Sequence, residues 1–189
     1  TVTPLFSTGV KMVRLGETTV TSGTAPVIKA VWANQVATIT GPGYETGDRR
    51  SSITLTYSGF TFAGGTPNGM LDGVSNAYGI SSWPTAMTPS AGAYLRFQFS
   101  SAKRVIENKW YQNTTHSGAT WKWQGSNDAT SWTDIGSSFQ MTCSVANAGE
   151  VNTQMSGNTN AYTYYQMLYV SGANSSSPYW QEIEFKIGD

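Results

Sequence analysis

Aromatic side chains set among polar, turn-forming residues are the chemistry this sequence offers most openly. Trp110 and Tyr111 lie in NKWYQNTTH, Trp83 in SSWPTAM, and Tyr179 with Trp180 in SSSPYWQ. An aromatic ring stacks on the apolar face of a sugar while planar polar groups beside it bind the hydroxyls, and loops on a rigid scaffold are where such sets gather. Each of these rings could equally pack in a core. His116, the single histidine, lies in NTTHSGAT and is read as a loop residue open to ligand contact.

Catalysis finds less support. A nucleophile pair of Cys143 with His116 is formally possible, but no third group of a known motif orients it. Glycoside hydrolysis needs two carboxyl groups about 5–10 Å apart across a cleft. Glu182 and Glu184 alternate with apolar residues on one strand and point to solvent or to a loop, and Asp128 and Asp134 flank Trp132 as turn residues. No phosphate-cradling glycine loop, zinc-ligand cluster or serine elbow occurs. The chain therefore reads as a binder and not an enzyme.

The elements that position these residues are strands. Apolar residues recur at spacing two, and Gly, Pro, Asn or Ser interrupts about every ten residues, the pattern of an all-β sandwich or barrel. Ile53, Leu55 and Tyr57 share a face, as do Leu95, Phe97 and Phe99 with polar residues between them, and Ile183, Phe185 and Ile187. Tyr162 to Val170 is dense in aromatic and aliphatic residues, which predicts a strand covered on both sides. In TWKWQGSNDATSW, Trp121 and Trp123 share a face opposite Lys122 and Gln124, Gly125 to Asp128 form a turn, and Trp132 returns to the interior. That arrangement predicts three core indoles around a hairpin; the alternative is an exposed aromatic shelf.

The bulk numbers set limits. With 189 residues the chain fits one domain plus a modest addition, and 11 basic against 11 acidic residues leave no basic face for nucleic acid. One cysteine cannot form an internal disulfide, so stability must come from burial. No apolar run reaches the length of a membrane span, and TVTPLFSTGVKMV has neither a signal-peptide centre nor a transit-peptide face. No membrane insertion is expected. Residues 1–48 alternate less clearly and read as an N-terminal arm or small β subdomain for assembly or attachment, with the sandwich at 49–189.

Five pieces in order resemble the discoidin-type (coagulation-factor type C, galactose-binding-like) domains. They are Met70-Leu71-Asp72-Gly73, Ala93 to Phe99, WKWQGSNDATSWTDI, Tyr162 to Tyr165, and Trp180 to Phe185. The resemblance implies a jelly-roll β-sandwich with an N-terminal β extension, whose end loops bind carbohydrate, lipid head groups or protein without catalysis. It also implies a structural calcium between the Asp-Gly loop and the late glutamate. The matching positions are the Asp72 carboxylate, backbone carbonyls near Val74 and Ala77, and Glu182, although Ala77 stands where the family often has a hydroxyl. Without metal, Asp72 would simply make an Asp-Gly turn. Gln166 stands where the family commonly has an arginine, so no anionic-ligand role carries over to that strand.

By analogy, the composition and the resemblance suggest a bacteriophage virion component, on the tail or capsid surface, that attaches to a host cell-surface glycan or receptor. Its expected partners are that glycan or receptor and other virion proteins, in a homo-oligomer. The alternatives are a purely structural virion component and an extracellular carbohydrate-binding module of a secreted bacterial protein.

Overall fold

The computed structural model describes residues 43–59, 61–64, 66–75, 83–84, 89–112, 116–173 and 180–188. The chain divides into two units, Thr1–Ile39 and Thr40–Asp189, and all described residues belong to the second. Their regular structure is β, apart from a 3-10 turn at Pro67–Leu71. The strands are β1 (Tyr44–Glu45), β2 (Ile53–Ser58), β3 (Phe62–Gly64), β4 (Trp83–Pro84), β5 (Tyr94–Lys103), β6 (Val105–Gln112), β7 (His116–Ser126), β8 (Thr133–Cys143), β9 (Gly149–Asn152), β10 (Tyr162–Ser171) and β11 (Trp180–Ile187).

One sheet has the order β1-β11-β6-β9, a second β2-β5-β10-β7-β8, and β3 pairs with β4. Within each sheet the pairing is antiparallel, and the crossovers between sheets make a jelly-roll sandwich. β1 pairs with β11 through Tyr44↔Lys186 and Glu45↔Phe185, so the sandwich already includes residues before the division expected at 48. The strand-like pieces expected upstream of residue 43 lie outside the described residues.

Alternation fixes what lies between the sheets. Ile53 and Leu55 from β2, Leu95, Phe97 and Phe99 from β5, Trp121 and Trp123 from β7, Ile183 and Phe185 from β11 all face inward and are buried. Rings from the two sheets meet edge to face: Phe97 with Phe185 at 5.0 Å, Phe99 with Phe185 at 5.3 Å, and Trp121 with Trp180 at 6.1 Å. Such pairs contribute about 0.5–1.5 kcal/mol beyond the area they bury. β10 is the middle strand of its sheet, with Tyr165, Gln166 and Met167 buried in succession, as a strand covered on both sides requires.

The interior differs from expectation at one indole. Trp132 is not part of the core: it lies half-buried on the outer side of the five-stranded sheet, with its ring against Arg96. The reason is parity. Ile135 points inward opposite Trp123, and Trp132 is an odd number of positions before it, so an extended chain turns the two to opposite faces.

Candidate functional site

The outer face of the five-stranded sheet carries an organised, half-open grouping of aromatic and charged side chains in which the guanidinium has no carboxylate partner among the described residues. Register places Thr56, Arg96, Gln166, Gln124 and Asp134 in a single row across its five strands. A hydrogen-bonded ladder runs along that row. Arg96 donates to Gln166 Oε1 from Nε at 3.1 Å and from Nη2 at 2.9 Å. Gln166 donates to Gln124 Oε1 at 2.8 Å, Gln124 donates to Asp134 Oδ1 at 2.6 Å, and Lys122 donates to Asp134 Oδ2 at 2.7 Å. These two donors hold the Asp134 carboxyl below its ordinary value.

The Arg96 guanidinium of this ladder lies over two rings. Its central carbon lies 4.3 Å from the Tyr94 ring centroid and 4.6 Å from that of Trp132. Gln166 and Gln124 are buried beneath, while Tyr94, Arg96 and Trp132 remain half-exposed. The ladder therefore fixes the guanidinium, and each ring adds cation–π attraction of about 0.5–1 kcal/mol. Arg96 reaches Gln166 because the two are partners across the β5–β10 strand pair.

The opposite outer face, on the four-stranded sheet, is closed on itself. Lys186 pairs with Glu107 at 2.9 Å, Lys109 with Glu184 at 3.5 Å, Tyr44 donates to Glu107 at 3.1 Å and Tyr111 to Glu184 at 3.3 Å. Lys109 Nζ also lies 4.0 Å from the Tyr44 ring centroid. Burial, with a carboxylate beside each, raises the Tyr44 and Tyr111 phenols above their ordinary value.

The residues expected on the rim separate. Trp110 and Trp180 are not loop residues but inward-facing positions of β6 and β11, buried and packed together at 5.4 Å between ring centroids, because the strands extend through both. Tyr111 lies on the outer face just described. Trp83 falls in β4, and His116 begins β7 opposite Cys143; the side chains of both, and all of Tyr179, lie outside the described residues. The Cys143 thiol is buried, donates to the Val145 carbonyl at 3.5 Å, and is raised in pKa chiefly by its burial. A nucleophilic thiol needs the opposite shift. A cleft of about 80 Å³ beside Trp110, Gln140 and Val151 is far smaller than the roughly 300 Å³ or more of a typical ligand pocket.

At the expected metal loop, Asp72 Oδ1 accepts from Val74 N–H at 2.9 Å, and Glu182 Oε2 accepts from Gly73 N–H at 3.2 Å. Glu182 also forms an ion pair with Arg49, and both side chains are almost wholly buried. Burial lowers the Arg49 pKa, and the surrounding carboxylates Glu184, Glu45, Asp72 and Asp48 oppose that shift. Ala77 lies outside the described residues. No group of three or more histidine, cysteine, aspartate or glutamate side chains that could hold a metal occurs among the described residues.

Sequence reasoning missed Tyr94, Arg96 and Trp132 as a set. Alternation had assigned Arg96 to the polar side of β5, but no sequence signal reports which residues of β10 and β8 lie beside it.

No protein-family model matches the sequence, and no curated protein matches it. Solved structures do match in fold. One is a family 32 carbohydrate-binding module of AlyQ in complex with 4,5-unsaturated mannuronic acid: 20% identity, TM-score 0.51, covering 71% of this chain and 94% of that one. A longer form of AlyQ, with its carbohydrate-binding and alginate lyase domains, matches at 21% identity and TM-score 0.54 over 78% of this chain and 34% of that one. A pectin-binding carbohydrate-binding module matches at 14% identity and TM-score 0.52, over 71% of this chain and 89% of that one. The fold of the described residues is thus the discoidin-type, galactose-binding-like jelly-roll sandwich.

Proposed function

We propose that this chain is a non-catalytic carbohydrate-binding module whose sheet face takes an acidic polysaccharide across Tyr94, Arg96 and Trp132. The observation that carries the reading is the guanidinium set beside two half-exposed rings. Rings offer stacking surface to sugar faces, and Arg96 Nη1 has no protein acceptor among the described residues, leaving donors for a uronate carboxylate. Two fold relatives are described as binding mannuronic acid and pectin, ligands of the same acidic class. Affinity per site is expected to be weak, with a homo-oligomer adding avidity.

The setting remains part of the proposal. A carbohydrate-binding module of a secreted bacterial protein is the setting we favour; in AlyQ a similar sandwich accompanies an alginate lyase domain. The bacteriophage virion setting, with a host glycan or receptor and other virion proteins as partners, rests on composition and on analogy from the resemblance.

Affinity electrophoresis in alginate, polygalacturonate and neutral galactan tests the reading. The two acidic polymers should retard the native chain. Trp132→Ala should weaken that binding about tenfold, equivalent to about 1.4 kcal/mol, with unchanged far-ultraviolet circular dichroism and cooperative thermal unfolding. Undiminished binding by a folded Trp132→Ala, or retardation by galactan alone, refutes this site and ligand class.

A further inference from the structure

The Asp72-Gly73 loop and Glu182 meet in space as a discoidin-type calcium loop would, but a side chain of the protein already occupies Glu182, one of the oxygens the resemblance assigns to the metal. The Arg49 guanidinium ion-pairs with Glu182, donates through Nη1 to the Ile183 carbonyl, and donates through Nε to the Gly47 carbonyl at 3.1 Å. A carboxylate and two backbone carbonyls are the kind of oxygen set calcium takes. Here they surround a fixed organic cation.

Arg49 is itself locked in place. Its N–H donates to the Leu71 carbonyl at 2.8 Å, and its own carbonyl accepts from Ser52 and Ile53 at 3.0 and 2.9 Å, closing the turn that leads into β2. The residue is 4% exposed and Glu182 1%. Two further anionic oxygens are taken by backbone amides: Glu182 Oε2 by Gly73 and Asp72 Oδ1 by Val74. A divalent ion seated here would lie beside a buried positive charge, where Coulomb repulsion is far stronger than in water.

We propose that Arg49 is the built-in cation of this loop: it ties the Asp72-Gly73 turn, the Gly47 turn and β11 together in place of calcium, so the sandwich needs no divalent metal to fold. The geometry does not fit the calcium that the resemblance implies, because the glutamate it would use already has a covalently tethered counter-ion. This inference is independent of what the sheet face binds.

Thermal unfolding of the full chain in EDTA and in millimolar CaCl2 tests it first. The same Tm in both is expected. A Tm that climbs with CaCl2, as binding to the native state demands, overturns it. The second arm uses Arg49→Met, Glu182→Leu and the combined variant. Each single change leaves one buried charge without its partner and should lower Tm, whereas removing both should give a Tm above that of either single variant. Should the singles fail to fold, a folded combined variant carries the same meaning. Losses that merely add, or a combined variant that also fails to fold, count against the proposal.

Discussion

Trp132 shows how one side chain's parity decides what a surface can do. Had it faced inward with Trp121 and Trp123, Arg96 would have only Tyr94 against it, and the sheet face would lack its second ring. The hairpin that presents Trp132 is held by Asp128, whose carboxylate accepts from the amides of Thr130 at 2.8 Å and Ser131 at 2.7 Å. Those N–H groups, Ser131 foremost, hold its pKa well below the ordinary 3.8. A depressed folded pKa means the stabilisation is fully present above pH 3.8 and is lost as pH falls through the folded value. Asp48, lowered to about 2 by Arg50, behaves the same way. Thermal unfolding between pH 5 and pH 2 should therefore fall less steeply for Asp128→Ala than for the native chain; parallel curves would deny Asp128 this role. Gly125 has a different kind of constraint. A Cβ there would come within 2.2 Å of the Tyr162 ring, so Gly125→Ala should lose about 1–3 kcal/mol in denaturant unfolding as an overpacked site.

Among the elements, β10 binds the sandwich together through Tyr165. Its hydroxyl donates to the Lys103 carbonyl at 2.7 Å and accepts from Val105 N–H at 3.1 Å and from Asn158 at 3.2 Å. Asn158 in turn donates to the Val105 carbonyl at 2.9 Å. One phenol thus pins the β5–β6 turn and the loop before β10 to the middle of the five-stranded sheet. Tyr165→Phe keeps the ring but leaves the buried Val105 N–H without that partner, a loss of about 1–3 kcal/mol measurable by chemical denaturation. A loss below about 0.5 kcal/mol would mean water replaces the hydroxyl. At this scale the sequence was legible where strands alternate: the inward faces of β2, β5 and β11 follow from period two, although Tyr57, near the end of β2 on the face of Ile53 and Leu55, is exposed. It was less legible for β6 and β11 at Trp110 and Trp180, whose polar neighbours resemble a loop although both strands run through them.

For the whole molecule, the two outer faces divide the work. On the four-stranded face Lys109 and Lys186 are each paired with a carboxylate, and on the five-stranded face the Arg96 guanidinium has none among the described residues. Cys143 reports on the integrity of the sandwich, being 3% exposed and free of any disulfide. Its labelling by a thiol reagent should be slow in the native state and should track global unfolding in urea; fast native labelling would show that the β7–β8 edge opens by itself. The sequence by itself determined the all-β class and which side of most strands faces inward, because both follow from local chain geometry with a period of two residues. Only the tertiary structure decided that Arg96 meets Gln166, 70 positions away, and that Arg49 meets β11 at Ile183, 134 positions away. Those meetings depend on strand order and register, which are set by how the whole core packs and leave no mark in any short stretch of sequence.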